Sequence, residues 1–164
     1  MRLIIGASSR VAQRFVALTP EIPTLTVGRR EVSDWLKPGG SAALEEFLES
    51  SGVDWDEVHI FTGITDPKAH ADDLEAVNVQ LPSLLLSRAE AFGFAVTTYG
   101  TALEALSPAP TAYVASKQRL FDLIEQSRGD GVDAMHIRFH TVFGANVPQP
   151  HMFLGQMLTA LVSG

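Results

Sequence analysis

The chain has 164 residues, 46% of them hydrophobic, which suffices for one buried core and a single domain. Nineteen acidic against twelve basic side chains give a net charge of −7, which argues against a nucleic-acid backbone or an anionic membrane as the main partner. With no cysteine, disulfides, thiolate metal sites and cysteine nucleophiles are excluded.

In chain order, Leu3, Ile4 and Ile5 form a short apolar run that reads as a buried parallel strand. It breaks at Gly6 into a small-residue loop, after which Val11, Phe15, Val16 and Leu18 are spaced like a helix. Strand, small-residue turn and helix open a dinucleotide-binding unit, because free N–H groups and the helix dipole at such a turn attract phosphate. A plain turn without a ligand remains the alternative. Residues 23–27 read as a second strand ending at Gly28-Arg29-Arg30, residues 35–40 as a loop, and Ala42, Leu44, Phe47 and Leu48 as a helix that stops near Gly52. Residues 58–61 form the next strand, ending at Thr62-Gly63. Residues 74–92 are helical, with Pro82 marking a bend or break near Leu81.

A strand over 94–98 follows, then Ser107, Pro108, Ala109 and Pro110 as a stiff lead into a helix that ends at Gly129-Asp130-Gly131. Residues 134–139 give a last strand, 148–150 a loop, and 152–162 a helix-like apolar segment. The alternation predicts an α/β fold, a Rossmann-like parallel sheet with helices on both faces, over one domain spanning 1–164. Ligands of such sheets bind beyond the carboxyl ends of the strands. No apolar run approaches membrane-spanning length, and the N-terminus enters a core strand without a signal pattern, so a cytoplasmic protein is expected. The five histidines lack metal-ligand spacing, and no metal is expected.

The most informative stretch is Tyr113-Val114-Ala115-Ser116-Lys117. A phenol and an ammonium four residues apart share a helix face and can address one site. An unperturbed tyrosine ionises near about 10, and a fixed cation favours the phenolate, bringing it toward the range useful for proton transfer. Packing for Tyr113 and solvation for Lys117 are equally open from these residues alone.

Together with the N-terminal strand–turn–helix, the Tyr-x-x-x-Lys pair resembles the extended branch of the short-chain dehydrogenase/reductase superfamily, the NAD(P)-dependent epimerases, dehydratases and reductases. The short stretch between the second and third strands is similar to the dTDP-4-dehydrorhamnose reductase-like members. The resemblance implies Tyr113 as the group exchanging a proton with substrate, and Lys117 as the cation that lowers its pKa and holds the nicotinamide ribose. It implies Thr98 as the hydroxyl orienting the substrate oxygen, with Thr97 in reserve and Tyr99 there in an ungapped alignment. Of the family's Gly-x-x-Gly-x-x-Gly loop only Gly6 survives, with Ser9 and Ala12 in place of the others; Arg10 and Val11 would face the pyrophosphate.

Arg29 and Arg30 stand where NAD-preferring members carry an acid, which suits a 2′-phosphate and implies NADP, with NAD as the alternative; two solvated arginines are the competing reading. Phe61, Thr62 and Gly63 would pass under the cofactor ribose. Asn78 would lie near the cofactor or else bond a neighbouring loop. His140 would sit beside the nicotinamide, with Thr141 replacing an asparagine that faces substrate.

The resemblance also implies a small-molecule substrate, sugar-like or a nucleotide sugar, and no nucleic-acid or membrane partner. A homodimer through helices near Leu84 and Phe121 is implied too, although apolar helix faces also pack inward. The C-terminal substrate lobe of the family is absent or truncated, with 145–164 its start. A non-catalytic NADP-binding sensor or interaction module with a degenerate glycine loop is the rival function.

Overall fold

Arg2–Ile5 forms β1, and all four residues are buried, as a parallel strand covered on both faces requires. The other strands are β2 (Thr24–Val27), β3 (Glu57–Ile60), β4 (Ala95–Thr101) and β5 (Ala134–Phe139). They form one all-parallel sheet in the order β2-β1-β3-β4-β5. The helices are α1 (Arg10–Leu18), α2 (Arg29–Trp35), α3 (Gly40–Ser50), α4 (Ala71–Glu75), α5 (Leu81–Phe92), α6 (Leu103–Leu106) and α7 (Ala112–Gly129), with a π-helical turn over Ala76–Gln80. This computed structural model describes residues 1–66, 68–106, 110–140, 157 and 160–162. The expected lead-in at 107–109, Thr141 and the 148–150 loop lie outside the described residues; of the 152–162 segment, 157 and 160–162 are helical.

Side chains alternate between the sheet faces. Leu3 and Ile5 join Val58, Ile60 and Val96 in the main core, which is closed by Leu44 and Leu48 of α3, Leu85 of α5, and Leu120 and Ile124 of α7. Ile4 is in register with His59 on the other face, where Phe15 of α1 sets its ring 4.7 Å from His59 and 5.5 Å from Phe61. The expected α/β layering, with helices on both faces, is the one observed.

Three local expectations change. Residues 29–35 form a helix, because Glu31 reaches back to accept from Gly28 N (3.1 Å) and caps the turn. Arg29 and Arg30 therefore begin α2 rather than trail β2. β4 runs three residues past 98, because it keeps pairing with β5 as far as Thr101 and Phe139. The break expected near Pro82 is realised as the π turn before it, with the proline in the first turn of α5, where its missing N–H costs nothing.

The order of strands reverses beside β1: β2 lies on one side and β3 on the other, which opens a crevice at their carboxyl ends. Gly6 closes β1 there with φ +87°. A Cβ on Gly6 would lie 2.4 Å from Thr62 Oγ1 and 2.6 Å from Thr62 N, so the two strand ends can touch only at glycine. Gly6→Ala is expected to cost about 2–4 kcal/mol, from the left-handed backbone and the overlap together; urea unfolding should show a lower midpoint at unchanged slope.

Candidate functional site

Three elements meet at the mouth of the crevice. The loop after β3 brings up Gly63, the π turn brings Asn78, and α7 brings Lys117. A Cβ on Gly63 would lie 3.2 Å from Asn78 Oδ1 and 3.3 Å from Lys117 Nζ, so the bare backbone at 63 lets all three converge. Gly63 itself is exposed.

Asn78 is buried, and its amide is fully engaged. Oδ1 accepts from Ile64 N (2.9 Å), while Nδ2 donates to Ile64 O (3.2 Å) and to Ser116 Oγ (3.0 Å). Ser116 Oγ in turn donates to Tyr113 O (2.7 Å). Of its two expected roles, Asn78 visibly fills the one of pinning the loop, and in doing so it ties the loop after β3 to the helix that carries Tyr113 and Lys117.

Lys117 is buried, and Nζ donates to the carbonyl of Tyr99 at 3.0 Å. Burial lowers its pKa to about 8, against partial opposition from the Glu104 carboxylate. Tyr113 is half-buried at the start of α7, where Thr111 Oγ1 caps the helix by accepting from Val114 N (3.3 Å). Burial raises the Tyr113 pKa above its ordinary value, and the charge of Glu104 raises it further. This corrects the expectation that Lys117 brings the phenol down: the lysine amine is turned to a backbone carbonyl, and the charge that acts on Tyr113 is the negative one of Glu104.

Thr98 does not stand at a strand end. It lies inside β4 at 1% exposure, with Oγ1 2.7 Å from His136 Nδ1 and 3.4 Å from Met135 O. A hydroxyl so enclosed cannot orient a substrate oxygen, and that expectation is corrected. Tyr99 is equally unsuited, because its hydroxyl lies on the α1 face, 2.8 Å from His59 Nδ1, and its ring stacks on Phe61 at 4.1 Å. Thr97, in register with His59, faces the same side. The residue that ends β4 is Thr101, half-exposed, whose Oγ1 accepts from Leu103 N (3.4 Å).

Along the N-terminal turn, Ser9 precedes α1 without a side-chain cap bond, Arg10 is exposed, Val11 is half-buried, and Ala12 is fully buried at the helix–sheet contact. Arg29 and Arg30 are exposed and line a depression of about 670 Å³ with Ser33, Asp34 and Lys37. Neither arginine makes an ion pair among the described residues, whereas Lys37 holds Asp34 at 2.5 Å and keeps its carboxyl below the ordinary range. Phe61 and Thr62 border the crevice, and His140 is exposed just past β5. Phe121 turns its ring to its own chain, under the Arg138 guanidinium at 4.0 Å, while Leu84 lies half-buried beside a groove of about 530 Å³ with Trp35 and Leu123.

Sequence reading missed Glu104 and His136, whose enclosed side chains bond each other beside β4 while the more exposed Arg138 bonds the same carboxylate. A lone acid outside the elements read from the sequence gave no local signal. Among the described residues no cluster of three or more metal-ligating side chains occurs, and no helix is long and apolar enough to cross a membrane.

The sequence matches no family profile and no curated protein. Solved structures do match in three dimensions. A dTDP-4-dehydrorhamnose reductase from Clostridium acetobutylicum superposes with TM-score 0.74 at 14% identity, over 99% of this chain and 60% of that one. The UDP-glucuronic acid 4-epimerase of Bacillus cereus, solved with NAD, gives 0.71 at 14% over 99% and 64%. The dTDP-4-dehydrorhamnose reductase of Bacillus anthracis, solved with NADP, gives 0.71 at 14% over 99% and 60%. The chain has their fold. It spans about three fifths of the length of these enzymes.

The buried lysine makes a pH-dependent prediction. Its folded pKa of about 8 lies below the ordinary 10.5, so between those values the unfolded chain binds more protons and stability rises with pH. Relative to Lys117→Met, the wild type should therefore gain stability as the pH is raised through this window, measured by urea unfolding at successive pH values.

Proposed function

We propose that the chain is the dinucleotide-binding portion of an NAD(P)-dependent oxidoreductase or epimerase of the short-chain dehydrogenase type, acting on an alcohol or ketone of a sugar-like molecule or nucleotide sugar. The observation that carries this reading is the convergence of the Gly63 backbone, Asn78 and Lys117 at the edge where the strand order reverses. The fit to a dinucleotide rests on features of this chain: bare backbone at Gly63 beside a buried amine, a turn at Gly6 leading into a helix without a side-chain cap bond, and two exposed guanidinium groups at the start of α2 that make no ion pair among the described residues.

In this reading the turn from Gly6 through Ser9, Arg10 and Val11 receives the pyrophosphate, and Arg29 and Arg30 hold a 2′-phosphate, favouring NADP over NAD. Phe61, Thr62 and Gly63 support the ribose, Lys117 bonds it, and His140 flanks the ring. The bound nicotinamide would supply or accept the hydride. Tyr113, which keeps its proton in this environment, gives it to the carbonyl oxygen as reduction proceeds. The neighbours solved with NAD and NADP, and named as sugar-nucleotide reductases and epimerases, support the kind of chemistry.

Ser9 in place of a glycine and the enclosure of Thr98 favour a second reading, a protein that binds NADP without turnover. The two readings separate on one variant. With NADPH and a panel of carbonyl substrates, Tyr113→Phe should lower reduction by about 10²–10⁴-fold while leaving NADPH binding unchanged by fluorescence. NADPH binding with no reduction in either protein would select the sensor. Replacing Arg29 and Arg30 by alanine should weaken NADPH at least about tenfold more than NADH, because only the former carries the extra phosphate; equal losses would remove the basis for the NADP preference.

A further inference from the structure

The two faces of β5 are unequally covered. His136 and Arg138 point to the α7 side, where both bond Glu104 and Arg138 lies over the Phe121 ring. Met135, Ile137 and Phe139 point to the α1 side, in register there with Thr97, Tyr99 and Thr101 of β4. On that side α1 reaches only as far as β3, where Phe15 packs on His59 and Phe61. α2, α3, α5 and α7 contribute to the opposite core, so no described helix stands over the α1 side of β4 and β5. Met135 is 57% exposed, whereas the side chain of His136 next to it is 2% exposed. Tyr99, Ile137 and Phe139 are half-buried, and the rings of Tyr99 and Phe139 stack at 5.3 Å. Parallel strands are ordinarily covered on both faces, as β1 is here, so this apolar surface lacks a layer.

The same chain carries an apolar helix with no partner. Residues 141–164 follow β5 closely and contain no Asp, Glu, Lys or Arg. Within them Leu154, Met157, Leu158 and Leu161 recur at helical spacing, opposite Gln156 and Thr159. Met157 and Ala160, Leu161 and Val162 are helical, and Leu161 and Val162 are 75% and 87% exposed. We propose that residues 152–162 form a helix that docks on the α1 side of β4 and β5. Its stripe of Leu154, Met157, Leu158 and Leu161 then covers Met135, Ile137, Phe139 and Tyr99. The dimensions agree. A helix over 152–162 is about 16 Å long, against about 20 Å for the six residues of β5. Residues 140–151 can extend about 40 Å, ample to turn back over the sheet from its carboxyl edge. Docking of this kind is independent of whether the chain binds a dinucleotide.

Two measurements on the whole chain test the docking. Met135 and Leu161 are exposed when the two surfaces are apart, so Met135→Lys and Leu161→Lys would then leave stability unchanged. With the helix docked, each should raise the unfolding constant in urea about tenfold, and the double variant should fall short of the product of the two. Single effects within about twofold of wild type, or a double variant equal to the product, overturn the proposal. The chain has no cysteine, so an introduced pair can bond only to itself. Met135→Cys combined in turn with Met157→Cys, Leu158→Cys or Leu161→Cys should give a disulfide within one chain in at least one pairing, read by mass and by non-reducing electrophoresis. Gln156→Cys and Thr159→Cys, on the far side of the stripe, should give none. Equal bonding on both sides, or no bond in any pairing, overturns the proposal. A disulfide between chains also overturns it, and assigns the face to a second copy. If the lysine variants do not fold, the cysteine pairs decide alone.

Discussion

A parallel sheet buried on both faces sends all its carboxyl ends to one edge, and the crevice and the residues gathered at it follow from that constraint. The reversal of strand order beside β1 leaves a crevice at that edge. Gly6 and Thr62 press the ends of β1 and β3 together there, which fixes the height at which the next loop emerges. Gly63 then meets Asn78 and Lys117 because each of them comes from an element packed on the same core.

β4 carries a polar chain on each of its faces. On the α1 face, Tyr99 bonds His59, which bonds Glu57, which bonds Arg2. On the α7 face, Thr98 bonds His136, which bonds Glu104, which bonds Arg138. The repeat arises because consecutive residues of a strand point oppositely. In both chains hydrogen bonds to the carboxylate outweigh the penalty of burial, so Glu57 and Glu104 stay ionised with low pKa values. Tyr99 belongs to both systems, with its hydroxyl on one side and its carbonyl holding Lys117 on the other.

How much of this was legible in the sequence depended on the range of the interactions involved. The strands are short and rich in β-branched and aromatic residues, and β1 and β3 are followed closely by glycine, so the order of elements could be read locally. The spacing of Tyr113 and Lys117 and the glycine at 63 pointed to the carboxyl edge of the sheet, where the structure brings Gly63, Asn78 and Lys117 together. α2 escaped notice because it depends on Glu31 bending back to Gly28, which no periodicity announces. Thr98 was misplaced because its partner His136 lies 38 residues away, and only the pairing of β4 with β5 decides which face the hydroxyl takes. Glu104 was missed for the same reason, its partners being 32 and 34 residues distant.

The π turn at Ala76–Gln80 carries a consequence for how the sequence can vary. Such a turn accommodates one more residue than an ordinary helix would over the same length. Loss of any single residue from it would let the helix regularise and swing Asn78 around the axis by about 100° relative to the segment beyond it. The amide would then leave Ile64 and Ser116 together, unlatching the loop after β3 from α7 in one step. Apart from Asn78 itself, this stretch therefore tolerates exchange of side chains better than any change in length.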